Sequence, residues 1–167
     1  MRKLIKLQDG VFSWTDDRFT SVADDEPIPA GDVILSLKRY MAEGEALAAN
    51  RAVGVRLEGA DAVEDLTYDL PRVAVIALSF PKFRDGRGYS AARLLRQRYG
   101  YTGEIRAVGE VLREQAQHMV RCGVDAFDPA DGSDPVAWAA AAHRYHHVYQ
   151  RAADHRQPVF AEREATE

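Results

Sequence analysis

With 167 residues, 46% of them hydrophobic and 29% charged, the chain is long enough for one domain with a buried core. A formal net charge of -4 argues against general nucleic-acid binding, and no apolar run approaches the ~20 residues of a membrane span. The single cysteine, Cys122, excludes an internal disulfide and any cysteine-rich zinc or iron–sulfur site, and the basic start Met1–Lys6 leads into no apolar segment or cleavage site, so a cytoplasmic protein is expected.

Residues 1–31 read as N-terminal strands and a connector. Leu4–Leu7 and Val11–Trp14 are strand-like and flank Asp9-Gly10, a hairpin turn. Asp24–Gly31 is acidic and holds two prolines, which disfavour helix at and before themselves. Residues 32–155 read as an α/β domain. Val33–Leu35 is a buried strand, and Leu37, Tyr40, Met41, Leu47 and Ala48 follow at helical spacing. Ala52–Leu57 is a second strand, Ala62–Leu70 a short helix, and Val73–Leu78 the most apolar segment and a central strand. A helix over about Ser90–Tyr99 precedes a strand at Glu104–Val108. The next helix carries Val111, Leu112, Ala116, Met119 and Val120 on one face and ends at Cys122-Gly123, where glycine suits a left-handed cap.

Val124–Phe127 is the fifth strand. Asp134 and Pro135 mark a helix start as N-cap and first helical residue, with Trp138, Ala141, Ala142, Tyr145, Val148 and Tyr149 as its inner stripe. Residues 156–167 read as a frayed tail. About five βα units with short apolar strands imply a mostly parallel sheet covered by helices, with the N-terminal hairpin appended. An open sheet is expected rather than part of a βα barrel, since closure of the usual barrel takes eight units.

Ligands bind at the C-terminal ends of parallel strands, and one βα loop there stands out. Between Pro81 and Arg98 lie six basic residues, Lys82, Arg84, Arg87, Arg93, Arg96 and Arg98, against one acid, Asp85. Gly86 and Gly88 let the backbone turn tightly, and a helix starting near Tyr89 or Ser90 offers free N–H groups. Lys82, Arg84 and Arg87 supply charge, Arg93 follows one turn on, and Phe83 and Tyr89 are placed to shield the site. The spacing matches neither a Walker A loop nor GxGxxG. The loop fits a small-oxyanion pocket, a docking surface for an acidic partner, or a solvated helix face with Asp85 capping the helix or pairing with Arg87.

Arg106 lies within a strand, where a buried charge needs a partner; Glu104 and Asp128 are the candidates, and Arg106 and Glu110 could join the loop's pocket. His143 and His147 have the i, i+4 spacing of a metal pair, but His143-Arg144-Tyr145-His146-His147 lacks the Glu of HExxH and a third ligand, so no metal is expected. Cys122 reads as a packing residue, and no triad arrangement or cofactor motif is evident.

The run Phe80-Pro81-Lys82-Phe83-Arg84-Asp85-Gly86-Arg87-Gly88-Tyr89-Ser90, with Gly103–Arg113 and Arg121–Phe127 downstream and Val33–Leu37 and Gly54–Leu57 upstream, resembles the proteobacterial family catalogued as domain of unknown function 934. The likeness covers roughly residues 30–150. Members are often labelled oxidoreductases because their genes commonly sit beside those of assimilatory sulfite reductase. The resemblance therefore implies an accessory role in sulfate assimilation, with sulfite reductase as a possible partner. It implies no cofactor: no flavin, nicotinamide, haem or cluster motif is present, and a lone Cys122 cannot run a dithiol cycle. The runner-up reading is an enzyme at the same strand ends using Asp85, Arg106, Glu110 or Asp128; a third is a structural partner subunit.

Overall fold

Asp9 (φ 51°) and Gly10 (φ 79°) both adopt the left-handed conformation that a two-residue hairpin turn requires. They join β1 (Lys3–Gln8) to β2 (Val11–Asp16) as an antiparallel pair in this computed structural model, which describes residues 2–164. Only Asp17 and Arg18 then separate β2 from β3 (Phe19–Ser21). Among the described residues eight strands form one sheet in the order β2-β1-β8-β7-β6-β5-β4-β3, so β2 and β3 are its opposite edges. The Cα atoms of Asp16 and Phe19 are three chain steps apart and can be at most ~11 Å from each other. The sheet meets that constraint by curling strongly into an open half-barrel.

The other strands are β4 (Asp32–Ser36), β5 (Val53–Leu57), β6 (Val73–Phe80), β7 (Glu104–Gly109) and β8 (Ala126–Phe127). Strands β3 to β8 are parallel; β1 runs antiparallel to β8, which makes the N-terminal hairpin part of the main sheet. The helices are α1 (37–48), α2 (87–98), α3 (113–122), α4 (Pro135–Ala142) and α5 (Val159–Glu164); Tyr40–Gly44 and Leu94–Arg98 widen to π-helix within α1 and α2.

Alternation along the strands sorts residues between two faces. Leu35, Val55, Ile76, Leu78, Ile105 and Phe127 share one core with Leu95, Met119 and Trp138 from the helices, so the helices cover the outer, convex face. Ile34, Val75 and Ala77 form a smaller cluster whose neighbours are all from strands or the strand-forming segment Phe19, which marks the concave face. The expected α/β architecture with a mostly parallel open sheet is present.

Several elements differ from expectation. Residues 62–70 form no α-helix; the segment holds two 3₁₀ turns, Val63–Leu66 and Leu70–Arg72, with Pro71 inside the first turn of the second. Helix α2 begins at Arg87, ahead of Tyr89. Strand β3 carries little sequence signal, being three residues long with only Phe19 apolar and Arg18 just before it.

The C-terminal region departs furthest. Asp134 caps α4 through the Ala137 N–H at 2.8 Å as expected, but α4 stops at Ala142. Arg156 donates to the carbonyls of Tyr145 and His146 and holds that stretch out of helix. Tyr145 and Tyr149 are therefore exposed rather than part of an inner stripe, and His143 and His147 lose their helical spacing. Within residues 156–164, Pro158 bridges to Val148, Glu162 lies 2.7 Å from His147, and Val159–Glu164 forms α5. Residues 165–167 of the expected tail lie outside the described residues. Among the described residues no helix is long and apolar enough to cross a membrane.

Candidate functional site

The basic loop follows β6 directly, at the C-terminal rim of the parallel strands. Two residues beyond β7 fasten it. The Glu110 carboxylate accepts from the Phe83 N–H at 3.1 Å, the Glu110 N–H donates to the Phe80 carbonyl at 2.7 Å, and the Gln115 amide donates to the Phe83 carbonyl at 3.4 Å. The Lys82 carbonyl accepts from the Asp85 N–H at 2.9 Å and closes the turn.

Within this frame the residues divide by task. Gly88 is buried because a Cβ there would stand 2.5 Å from Cζ of Phe80, so the glycine serves ring packing. Tyr89 turns inward, edge-on to Phe80 (5.2 Å) and His118 (4.4 Å), while Phe83 stands 48% exposed and shields nothing. Asp85 grips Arg87 through two contacts of 2.6 and 2.9 Å, which with the Arg87 N–H lower its pKa to about 2. Lys82 and Arg84 are exposed and have no side-chain partner among the described residues. Ser90 and Arg93 lie on the open face of α2 beside Gln97 and Arg98, with Arg93 donating to Gln97 at 2.7 Å. Arg96 instead turns inward, to the carbonyls of Tyr101, Gly103 and Gly123 and to Asp125 at 2.9 Å.

Arg106 sits apart from the loop, on the concave face. The strand register places Ser36, Arg56, Ala77, Arg106, Ala126 and Lys6 side by side across β4, β5, β6, β7, β8 and β1. The alanines leave room for the long cations to lie along the sheet. Arg106 is held by Asp17 at 2.8 Å and by Glu104 at 2.8 and 2.9 Å, and Lys6 reaches the same Glu104 at 3.0 Å. Of the two expected partners, Glu104 neutralises Arg106, whereas Asp128 pairs with Arg2.

Asp17 was not legible as a partner, since 89 residues separate it from Arg106. Arg56 was also missed, although an arginine inside an apolar strand carries the same signal as Arg106. Above this row, at the C-terminal mouth, opens a cavity of about 230 Å3 lined by Arg2, Leu4, Asp17, Ser21, Ile34, Arg56, Ala77, Arg106, Val108, Gly109 and Asp128. The structure thus brings residues 82–90 together at the rim and leaves Arg106 in a separate compartment.

Elsewhere, burial raises the pKa of the Cys122 thiol and lowers that of His118. Among the described residues no three or more His, Cys, Asp or Glu gather where they could hold a metal.

A curled, mostly parallel sheet with helices on its convex side and charged residues at its strand ends defines a mixed α/β half-barrel protein. Residues 54–160 match the family described as bacterial protein of unknown function (DUF934), and the chain belongs to that family. No curated protein matches the chain.

Proposed function

We propose that this protein is an accessory component of sulfate assimilation that docks an acidic surface of a partner, sulfite reductase foremost, through Lys82, Arg84 and Arg93. The supporting observation is local: a loop pinned by Glu110 and Gln115 presents Lys82 and Arg84 outward, with no acid paired to them among the described residues. Such cations steer an acidic surface toward the loop and fix its orientation. An enclosed small oxyanion at the same loop fits less well, because Arg87 is occupied by Asp85 and Gly88 is packed on Phe80. The place in sulfate assimilation rests on the family resemblance.

The alternative, an enzyme at the strand ends, draws support from the cavity beside Arg106. Its candidate acids are engaged, however: Asp128 by Arg2, Glu110 by the Phe83 backbone and Asp85 by Arg87. Calorimetric titration of the protein into sulfite reductase tests the proposal. Association is expected to weaken steeply from about 0.05 to about 0.5 M salt, as screening shortens below ~10 Å. Absent or salt-insensitive association contradicts it.

A further inference from the structure

We infer that the mouth of the half-barrel binds a small organic anion, with a carboxylate-type head on Arg56 and a short carbon body against Leu4, Ile34 and Ala77. The inference stands independently of partner docking at the loop.

Its first support is place. The cavity gathers residues from β1, β3, β4, β5, β6 and β7 and from the turns after β2 and β8, at the end of the sheet where such folds seat ligands. Its second support is charge. Both acids of the cavity wall are already engaged, Asp17 by the buried Arg106 and Asp128 by Arg2. The third cation, Arg56, is ion-paired with Glu58 through Nε only, and its two terminal nitrogens make no hydrogen bond among the described residues. Its neighbour Glu58 lines a different, smaller crevice. Arg56 Nε lies 2.9 Å from Glu58 Oε1, yet that buried N–H is misaligned and makes no hydrogen bond. A guanidinium with unused donors, set against partly apolar walls, is a strong seat for a planar carboxylate. The Ser21 hydroxyl, at the rim and without a hydrogen bond among the described residues, is a second donor.

Size and surface then select the ligand. About 230 Å3 exceeds several waters at ~30 Å3 each but falls short of the ~300–1,000 Å3 of pockets for larger ligands. The apolar side chains of Leu4, Ile34 and Ala77 give a carbon body something to cover, which a bare hydrated ion does not use.

The test is an amide NMR titration of the whole protein at constant ionic strength, with succinate and pyruvate as probes and sulfate as the compact oxyanion. Saturable shifts are expected at Ser21, Arg56 and Ala77, with succinate or pyruvate binding in the low-millimolar range or tighter and sulfate at least tenfold weaker. Arg56→Gln should weaken binding at least tenfold and Arg56→Lys less. At 35% exposure Arg56 tolerates both without loss of fold, which the same spectra check. Lys82→Gln with Arg84→Gln should leave this affinity unchanged even where they abolish docking to sulfite reductase.

The inference is overturned by absence of saturable shifts, by shifts confined to other residues, or by wild-type affinity in both Arg56 variants. Sulfate binding as tightly as the organic probes overturns it as well.

Discussion

Arg106 on β7 and Asp17 in the β2–β3 link form a 2.8 Å ion pair whose side chains are only 6% and 5% exposed. The pair ties the short connection between the two sheet edges to the middle of the concave face, so it helps to hold the curl. Asp17→Asn strips one of two carboxylates from the buried Arg106 guanidinium while Glu104 stays. It should therefore lower unfolding free energy by about 1–3 kcal/mol in urea titration, less than a fully orphaned buried charge would cost. A loss below about 1 kcal/mol would mean that Glu104 alone satisfies Arg106.

At the loop, Arg87 holds Asp85 ionised. A pKa lowered to about 2 means that the interaction is complete above the ordinary carboxylate value of 3.8 and is lost as pH falls through about 2. Carboxyl NMR titration should place the Asp85 midpoint there and return it toward 3.8 in Arg87→Ala. An unmoved midpoint in that variant would assign the shift to another cause.

Two neighbouring glycines should respond differently to alanine. At Gly88 the added methyl meets the Phe80 ring at 2.5 Å, an overpacking that costs about 1–3 kcal/mol. At Gly86 the nearest atom is Tyr89 Cδ2 at 3.9 Å, and φ is -90°, so alanine is accommodated. Thermal melts of the two variants should separate by several degrees; equal melting would show that Phe80 yields its place.

His118 gives a pH dependence of defined sign. Burial, with Arg121 nearby, lowers its pKa in the folded protein below 6.5. Between the folded value and 6.5 the unfolded chain binds the proton more readily, so this contribution is present above 6.5 and is lost as pH falls through that window. His118→Gln should flatten the stability profile between about pH 7 and pH 5, measured by denaturant midpoints. An unchanged slope would place the dependence elsewhere.

The parts of the fold legible in the sequence are those that local chemistry dictates. Asp9-Gly10 turns the hairpin, Asp134 and Pro135 open α4, and Gly123 (φ 96°) closes α3 in the left-handed conformation. Strands β4 and β6 announce themselves as short apolar runs, and β5 and β7 as short β-rich stretches that each carry an arginine. What long-range contacts decide was not legible. The curl depends on a two-residue link between edges, the C-terminal stretch on Arg156 reaching back to Tyr145 and His146, and the Arg106 site on Asp17 far upstream. The basic loop could be read because its charges and glycines are contiguous. The cavity could not, because its lining residues come from almost the whole length of the sheet.

The docking account is tested most directly by charge reversal. Lys82→Glu, Arg84→Glu and Arg93→Glu change exposed side chains, so the fold should survive, as circular dichroism will verify. Binding of the triple variant to sulfite reductase, measured at about 0.1 M salt beside the unaltered chain, should fall at least a hundredfold, or about 2.7 kcal/mol. Undiminished binding by a folded triple variant would contradict the account.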